Sequence, residues 1–97
     1  MNDKEQQNQI DNMYNAILLL ENKQECEIFF RDLCTKKELQ AMAQRLAVAK
    51  MLQNKQTYID IQKSTNASTT TISRVNRTLA EGVNGYKFIL DKLEEWE

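Results

Sequence analysis

Apolar residues recur along most of this chain at the three- and four-residue spacing of amphipathic helices. This spacing predicts a first helix near residues 4–22, a short second helix near 24–33 and a long third helix near 36–54. Thr35 and Glu38 stand in the order of a capping box, so we expect the third helix to begin directly after the threonine. Its apolar stripe covers nearly its whole length, which is typical of a central helix.

Beyond the long helix, the pattern changes to two short helices joined by a tight corner. Thr57 is a candidate N-cap for a helix of two turns, and Asn66 tolerates the left-handed backbone that suits such a corner. Ser68 is the candidate N-cap of the next helix, over residues 69–79. This order predicts a helix-turn-helix. A last amphipathic helix follows the glycines and contains Trp96.

The composition agrees with a helical protein and excludes several kinds of chemistry. The 97 residues include no proline and only two glycines, whereas tight hairpins need residues of these types. There is no histidine, and Cys26 and Cys34 cannot form a four-ligand zinc site by themselves, so we expect them to be reduced packing residues. Neither a catalytic triad nor a glycine-rich phosphate loop is present. We therefore expect no enzyme activity, no metal and no cofactor.

The longest apolar run covers only residues 16–20, which is far shorter than a bilayer-spanning helix. The polar N-terminus lacks the pattern of a signal peptide. We expect a cytoplasmic protein that does not bind membranes.

Charged residues are unevenly distributed, although the formal net charge is only -1. Residues 1–35 carry three basic and seven acidic side chains, residues 36–78 carry eight and two, and residues 79–97 carry two and five. Phosphate groups respond to the local field rather than to the net charge, so the basic middle block favours DNA binding. A charge run can also be a solvated face without a partner.

The second helix of the predicted motif is rich in threonine, which intrinsic helix propensity does not favour. Hydroxyl side chains in a first helical turn can approach base edges and phosphates, while Arg74 and Arg77 can reach the DNA backbone or a guanine. The alternative is a threonine-rich helix start with a solvated outer face.

Two stretches of the chain resemble the Trp repressor superfamily, and more closely its YerC/YecD-type branch. The first stretch runs from Leu33-Cys34-Thr35 through Ala43-Gln44-Arg45-Leu46, and the second is Thr71-Ile72-Ser73-Arg74-Val75-Asn76-Arg77-Thr78-Leu79. The resemblance extends over roughly residues 10–95. It implies an all-α domain of about six helices that forms an intertwined homodimer with two DNA-reading heads.

The resemblance also implies a division of the single domain 1–97. The dimerisation helices are residues 1–35 and 80–97, the long central helix is 36–56, and the helix-turn-helix is 57–79.

In this family, the second helix of the motif enters the major groove of double-stranded DNA, with two heads ~34–36 Å apart on a pseudo-palindromic site. The matching positions imply contacts with bases or ordered water from Thr69, Thr70, Thr71 and Ser73, and contacts with phosphates from Thr57, Gln62 and Lys63. The complete set of candidate DNA-binding residues is Thr57, Gln62, Lys63, Ser68, Thr69, Thr70, Thr71, Ser73, Arg74 and Arg77.

The resemblance raises the question of a small-molecule effector. Trp repressor holds tryptophan between two arginines, which correspond to Arg45 and Arg74 here, and Thr78 replaces a serine that contacts the ligand. The glycine after the second arginine is Val75 in this chain, and its methyl groups would intrude on the flat ligand. We therefore expect no tryptophan binding of the Trp repressor kind.

The alternative is that Val75 is a core residue, since it continues the inner stripe of Ile72 and Leu79. For the two arginines, one alternative is that both contact another effector. The other is that Arg45 forms an ion pair and Arg74 contacts a phosphate.

The sequence leaves two functions open. The first is a homodimeric, sequence-specific transcriptional regulator, with repression as the expected direction. The second is a protein-protein interaction module that keeps the dimer core and presents its 57–79 surface to another protein.

Overall fold

The computed structural model describes residues 2–96, which form six α-helices and no strand. The helices are α1 (Asp3–Leu18), α2 (Lys23–Leu33), α3 (Lys36–Gln53), α4 (Tyr58–Thr65), α5 (Thr69–Glu81) and α6 (Gly85–Trp96). The predicted all-α class with about six helices is confirmed. The chain divides into two compact units, Met1–Lys37 and Glu38–Glu97.

In the first unit, α1 ends at Leu18, earlier than the predicted residue 22, because the next residues start a new helix. The side-chain oxygen of Asn22 accepts a hydrogen bond from the backbone N–H of Glu25 at 2.9 Å. The carboxylate of Glu25 accepts another from the backbone N–H of Glu21 at 3.0 Å. These two bonds satisfy amides that a helix start leaves unpaired, and they are incompatible with a continuous helix.

Neither α1 nor α2 contains a buried residue. Exposed apolar side chains recur along α1 at Ile10, Tyr14 and Leu18, and Leu18 is 80% exposed. On α2, Ile28 and Leu33 are also exposed. Cys26 and Cys34 are free and half-buried. Two amphipathic helices thus keep much of their apolar surface uncovered in the single chain.

The long helix α3 begins at Lys36 as predicted and ends at Gln53. Its C-terminus is closed by a Schellman motif, in which the N–H of Gln56 donates to the carbonyl of Met51 at 3.1 Å. In the same motif, the N–H of Lys55 donates to the carbonyl of Leu52 at 3.0 Å, and Lys55 has a left-handed backbone with φ 64°. A lysine therefore occupies the position where glycine is usual.

The second unit has a core of small and branched apolar residues. Its buried residues are Val48, Ala49, Ile61, Ala67, Ile72, Val75 and Leu90. Leu46 and Leu93 pack against them at partial exposure. Trp96 belongs to the apolar stripe of α6 but is 87% exposed in the single chain. The core therefore joins α3, both helices of the predicted motif and the middle of α6.

Two glycines flank the connection between α5 and α6, and only Gly82 lies outside a helix. Gly82 ends α5, and its N–H donates to the carbonyl of Thr78 at 2.8 Å. Gly85 is already the first residue of α6, and the left-handed residue in the connection is Asn84, with φ 64°. Asparagine tolerates this backbone better than most residues.

Within residues 2–96, none of the helices combines the length and apolar character that a membrane span requires.

Candidate nucleic-acid interface

Helix α4 starts and ends at residues that the sequence marks for these roles. The hydroxyl oxygen of Thr57 accepts a hydrogen bond from the backbone N–H of Asp60 at 3.2 Å, so Thr57 is the N-cap. Asn66 closes the helix with φ 62° and ψ 17°, and its N–H donates to the carbonyl of Gln62 at 2.9 Å. The predicted N-cap and left-handed corner are both confirmed.

Thr65, the last residue of α4, forms hydrogen bonds that hold the turn between α4 and α5. Its hydroxyl donates to the carbonyl of Ile61 at 2.7 Å and accepts from the N–H of Ala67 at 3.2 Å. The side-chain amide of Gln44 on α3 donates to the carbonyl of Thr65 at 3.0 Å. This set of bonds joins the turn to the long helix, so α3 helps to fix the angle between the two motif helices.

Ser68 begins α5 and uses its hydroxyl within the protein. Its oxygen accepts from the backbone N–H of Thr71 at 3.1 Å, and its O–H is placed to donate to the hydroxyl oxygen of Thr71 at 3.1 Å. Ile72 and Val75 then anchor the inner side of the helix in the core. The start and the rotation of α5 are thereby set before any partner binds.

The outer side of α5 carries a shallow surface notch of about 330 Å³. Its lining residues are Thr69, Thr70, Ser73, Arg74 and Arg77. All five are exposed. No acidic residue lies in the first turn of α5, and within residues 2–96 no carboxylate forms an ion pair with either arginine. The notch therefore combines hydroxyl groups, which donate and accept, with two uncompensated positive charges.

The structure brings five of the ten candidate DNA-binding residues together in this notch. Thr57, Gln62 and Lys63 are exposed on α4 and its cap, outside the notch but on the helix that packs against α5. Ser68 and Thr71 bond to each other, and Thr71 is half-buried. The candidates thus divide into notch residues, exposed α4 residues and a capping pair.

The positions that resemble the tryptophan site of Trp repressor do not line one notch. Arg74 lines the notch on α5, whereas Arg45 is exposed on α3 and is not among the notch residues. The hydroxyl of Thr78 donates to the carbonyl of Arg74 at 3.1 Å. Val75 is only 2% exposed and belongs to the core. Its side chain therefore has a packing role in addition to any effect on a ligand.

Sequence reasoning missed Gln44 and Thr65, although they position the motif. The available signal was a glutamine among alanines on α3, together with a threonine directly before the left-handed asparagine. Neither residue type is diagnostic by itself, because both are usually exposed.

Comparisons with known proteins agree on one family. Residues 8–94 match the profile of the family described as Trp repressor protein. The Bacillus subtilis (strain 168) protein YerC is 47% identical over 95 residues, which cover 98% of this chain and 91% of YerC. A crystal structure of a proposed Trp repressor from Staphylococcus aureus is 45% identical, with a TM-score of 0.88 and coverage of 97% of this chain and 96% of that one. A TrpR-like protein from Eubacterium eligens is 43% identical, with a TM-score of 0.89 and 96% of both chains covered.

Proposed function

This chain belongs to the Trp repressor family, and from that premise we propose that it is a sequence-specific transcriptional regulator that acts as a homodimer. The second helix of its helix-turn-helix, α5, would enter the major groove of double-stranded DNA. Repression is the direction that the family implies.

The observation that carries this proposal is the outer face of α5. Hydroxyls and guanidinium groups line one notch there, and the inner face of the same helix is buried at Ile72 and Val75. Arginine pairs well with guanine and with phosphate, and threonine and serine hydroxyls contact bases or phosphates. A helix held from behind by the core can present these groups as a rigid set.

Homodimerisation is supported by the apolar side chains that the single chain leaves exposed. Helices α1 and α2 together order 27 residues, 16 and 11 respectively, and none of their side chains is fully buried. Ordering a residue costs roughly 1–2 kcal/mol of backbone entropy, so these helices need a partner surface to offset that cost. On α6, Phe88, Ile89 and Trp96 are exposed as well. A second copy supplies matching apolar faces for both sets.

DNA selection tests the proposal directly. Sheared genomic DNA from the source organism is passed over the purified protein, and the retained fragments are sequenced. We expect enrichment of a short inverted repeat with half-site centres about one helical turn apart, ~34–36 Å.

Two double variants make this selection decisive. Arg74→Ala with Arg77→Ala removes both notch cations and should abolish the enrichment. Lys23→Ala with Arg31→Ala changes the net charge equally on α2 and should preserve it. Equal enrichment by the two variants, or retention without a common sequence, would contradict sequence-specific reading by α5. Retention of proteins rather than DNA from a lysate would instead favour the interaction module.

The dimer is tested by sedimentation. Leu18→Asp places a charge in the exposed apolar stripe of α1 and should weaken dimerisation by at least about 100-fold, roughly 2.7 kcal/mol. Ile59→Asp is the matched control, because Ile59 is 65% exposed on α4 within the proposed DNA-binding motif. A wild-type chain that sediments as a monomer at micromolar concentration would refute the homodimer.

We also propose that the protein does not bind tryptophan in the Trp repressor manner. The presence of Val75 where the family's ligand-binding members have a glycine supports this, because valine carries two methyl groups that glycine lacks. Calorimetry with tryptophan should give no stoichiometric binding. Micromolar binding that Arg74→Ala abolishes would refute the proposal.

A further inference from the structure

A second concavity lies in the unit Glu38–Glu97, at the end of α5 opposite to its capped start. Its volume is about 310 Å³, at the lower end of the range for small-molecule sites. The end of α3, the last turns of α5 and the first turn of α6 form its walls. None of its lining residues belongs to the notch on the outer face of α5.

The cavity combines an apolar surface with amide groups. Leu52, Leu79 and Tyr86 are half-buried lining residues that also pack against the core. Asn76 and Asn84, whose side chains carry amide groups, also line it. Pockets of this composition bind small molecules with an apolar body and a few polar groups.

One of its two lysines retains an uncompensated charge. The ammonium of Lys87 is 3.1 Å from the carboxylate of Asp91, and that carboxylate also accepts a hydrogen bond from the side-chain amide of Gln53 at 3.2 Å. Lys55, in contrast, forms no ion pair with any carboxylate within residues 2–96. The polar edge of the cavity therefore has a positive charge available for an anionic group.

The backbone at this edge is also unusual. Of the three non-glycine residues with positive φ in the described part of the chain, residues 2–96, Lys55 and Asn84 line the cavity, and each has φ 64°. A left-handed lysine costs roughly 1–2 kcal/mol that glycine would avoid. The Schellman motif at the end of α3 accounts for this conformation of Lys55. In this case the conformation places a lysine, rather than glycine, at the edge of the cavity.

The cavity contains neither arginine of the family's effector site and shares only Thr78 with it. At 100° per residue, Asn76 lies about 200° around α5 from Arg74, on the opposite edge of the helix. Ala80 follows Asn76 by one turn on that same edge and also lines the cavity. The arginines are therefore absent from this cavity, although Thr78, one turn after Arg74, contributes to its lining.

We propose that this cavity binds a small organic carboxylate with an apolar body. The carboxylate is held by the ammonium of Lys55 and by the amide of Asn76 or Asn84. The apolar body lies against Leu52, Leu79 and Tyr86. This inference does not depend on the DNA-binding function, because it concerns only the cavity.

The test is an NMR titration of the full ¹⁵N-labelled chain with phenylacetate, which has an aromatic ring and one carboxylate. Phenylacetamide is the neutral probe of nearly the same shape. We expect phenylacetate to shift the backbone amides of Lys55, Asn76 and Ala80, and phenylacetamide to bind at least about tenfold more weakly, a difference of about 1.4 kcal/mol.

Two variants locate the carboxylate and the apolar body. Lys55→Asn removes the charge but keeps a residue type that tolerates positive φ, so the fold should persist and the affinity for phenylacetate should fall about tenfold or more. Lys23→Asn on α2 is the charge-matched control and should leave the affinity unchanged. Ala80→Leu fills the cavity from α5 and should abolish binding of both probes.

Three results would overturn the proposal. The first is that phenylacetate shifts only amides in the outer notch of α5 or in α1 and α2. The second is that Lys55→Asn binds phenylacetate as tightly as the wild type, and the third is that neither probe shifts any amide at millimolar concentration. None of these outcomes affects DNA selection, which uses no carboxylate and can succeed or fail separately.

Discussion

Arg77 allows a quantitative test that examines phosphate contact and dimerisation together. It is exposed in the outer notch of α5, and within residues 2–96 no carboxylate neutralises it. Arg77→Ala removes one cation from each chain and therefore two from a homodimer. Each phosphate neutralised by a protein cation contributes ~0.9 to the slope of log affinity against log salt concentration. The slope should therefore become shallower by ~1.8.

The assay is fluorescence anisotropy with a labelled operator duplex, measured at salt concentrations from ~50 to ~200 mM. Over this fourfold range, the wild-type protein should lose ~12-fold more affinity than the variant if two copies contact DNA, but only ~3.5-fold more if one copy does. Lys23→Ala, with the same change in charge on α2, should keep the wild-type slope. A wild-type slope in Arg77→Ala would refute phosphate contact by this residue.

Three further predictions concern sequence preference and stability. Ser73→Ala should change the preference at one or two base pairs by ~1–3 kcal/mol in competition binding, because Ser73 lines the notch. An equal loss of affinity for all DNA sequences would indicate that Ser73 contacts phosphate only. Ile72→Ala should lower the free energy of unfolding by ~2–5 kcal/mol in urea denaturation because Ile72 is fully buried, whereas the exposed Ile59→Ala should change it by less than ~0.5 kcal/mol. Gly82→Ala should lower the melting temperature, because the new Cβ would lie 2.5 Å from a backbone carbonyl oxygen of α5. Gly85→Ala places its Cβ in open space and should raise the melting temperature. Equal shifts of the melting temperature in the two variants would contradict this reasoning.

The boundaries of the helix-turn-helix could be predicted from the sequence because local interactions set them. Thr57 and Ser68 each cap the helix that follows, and Asn66 adopts the left-handed conformation that its side chain tolerates. The Trp repressor resemblance and the all-α class are confirmed by the family match and by the solved relatives. Helix caps and left-handed turn residues can be predicted because they depend on only a few neighbouring residues.

Features that depend on competition between segments were predicted less well. The first helix ends at Leu18 because Asn22 and Glu25 start α2, and an uninterrupted apolar pattern does not reveal that competition. The left-handed conformation of Lys55 follows from the Schellman motif, although lysine gives no sign of it.

The candidate site was only partly predictable for the same reason. Residue types and helical spacing identify the exposed face of α5, but they do not show that Ser68 and Thr71 bond to each other. The bond from Gln44 to Thr65 joins residues far apart in the chain. The cavity beside Lys55 also requires the end of α3, α5 and the start of α6 to be brought together.

The hydroxyl of Ser68 has a consequence for the kinetics of recognition. Because this cap and the buried Ile72 already order the first turn of α5, little conformational entropy would be lost on the proposed binding of this helix to a DNA groove. Association would then be the docking of a preformed helix, without a folding step that slows it. The heat capacity change of binding should accordingly reflect the surface that is dehydrated rather than the formation of new helix. Differences in affinity between operators would then arise mainly from differences in the dissociation rate.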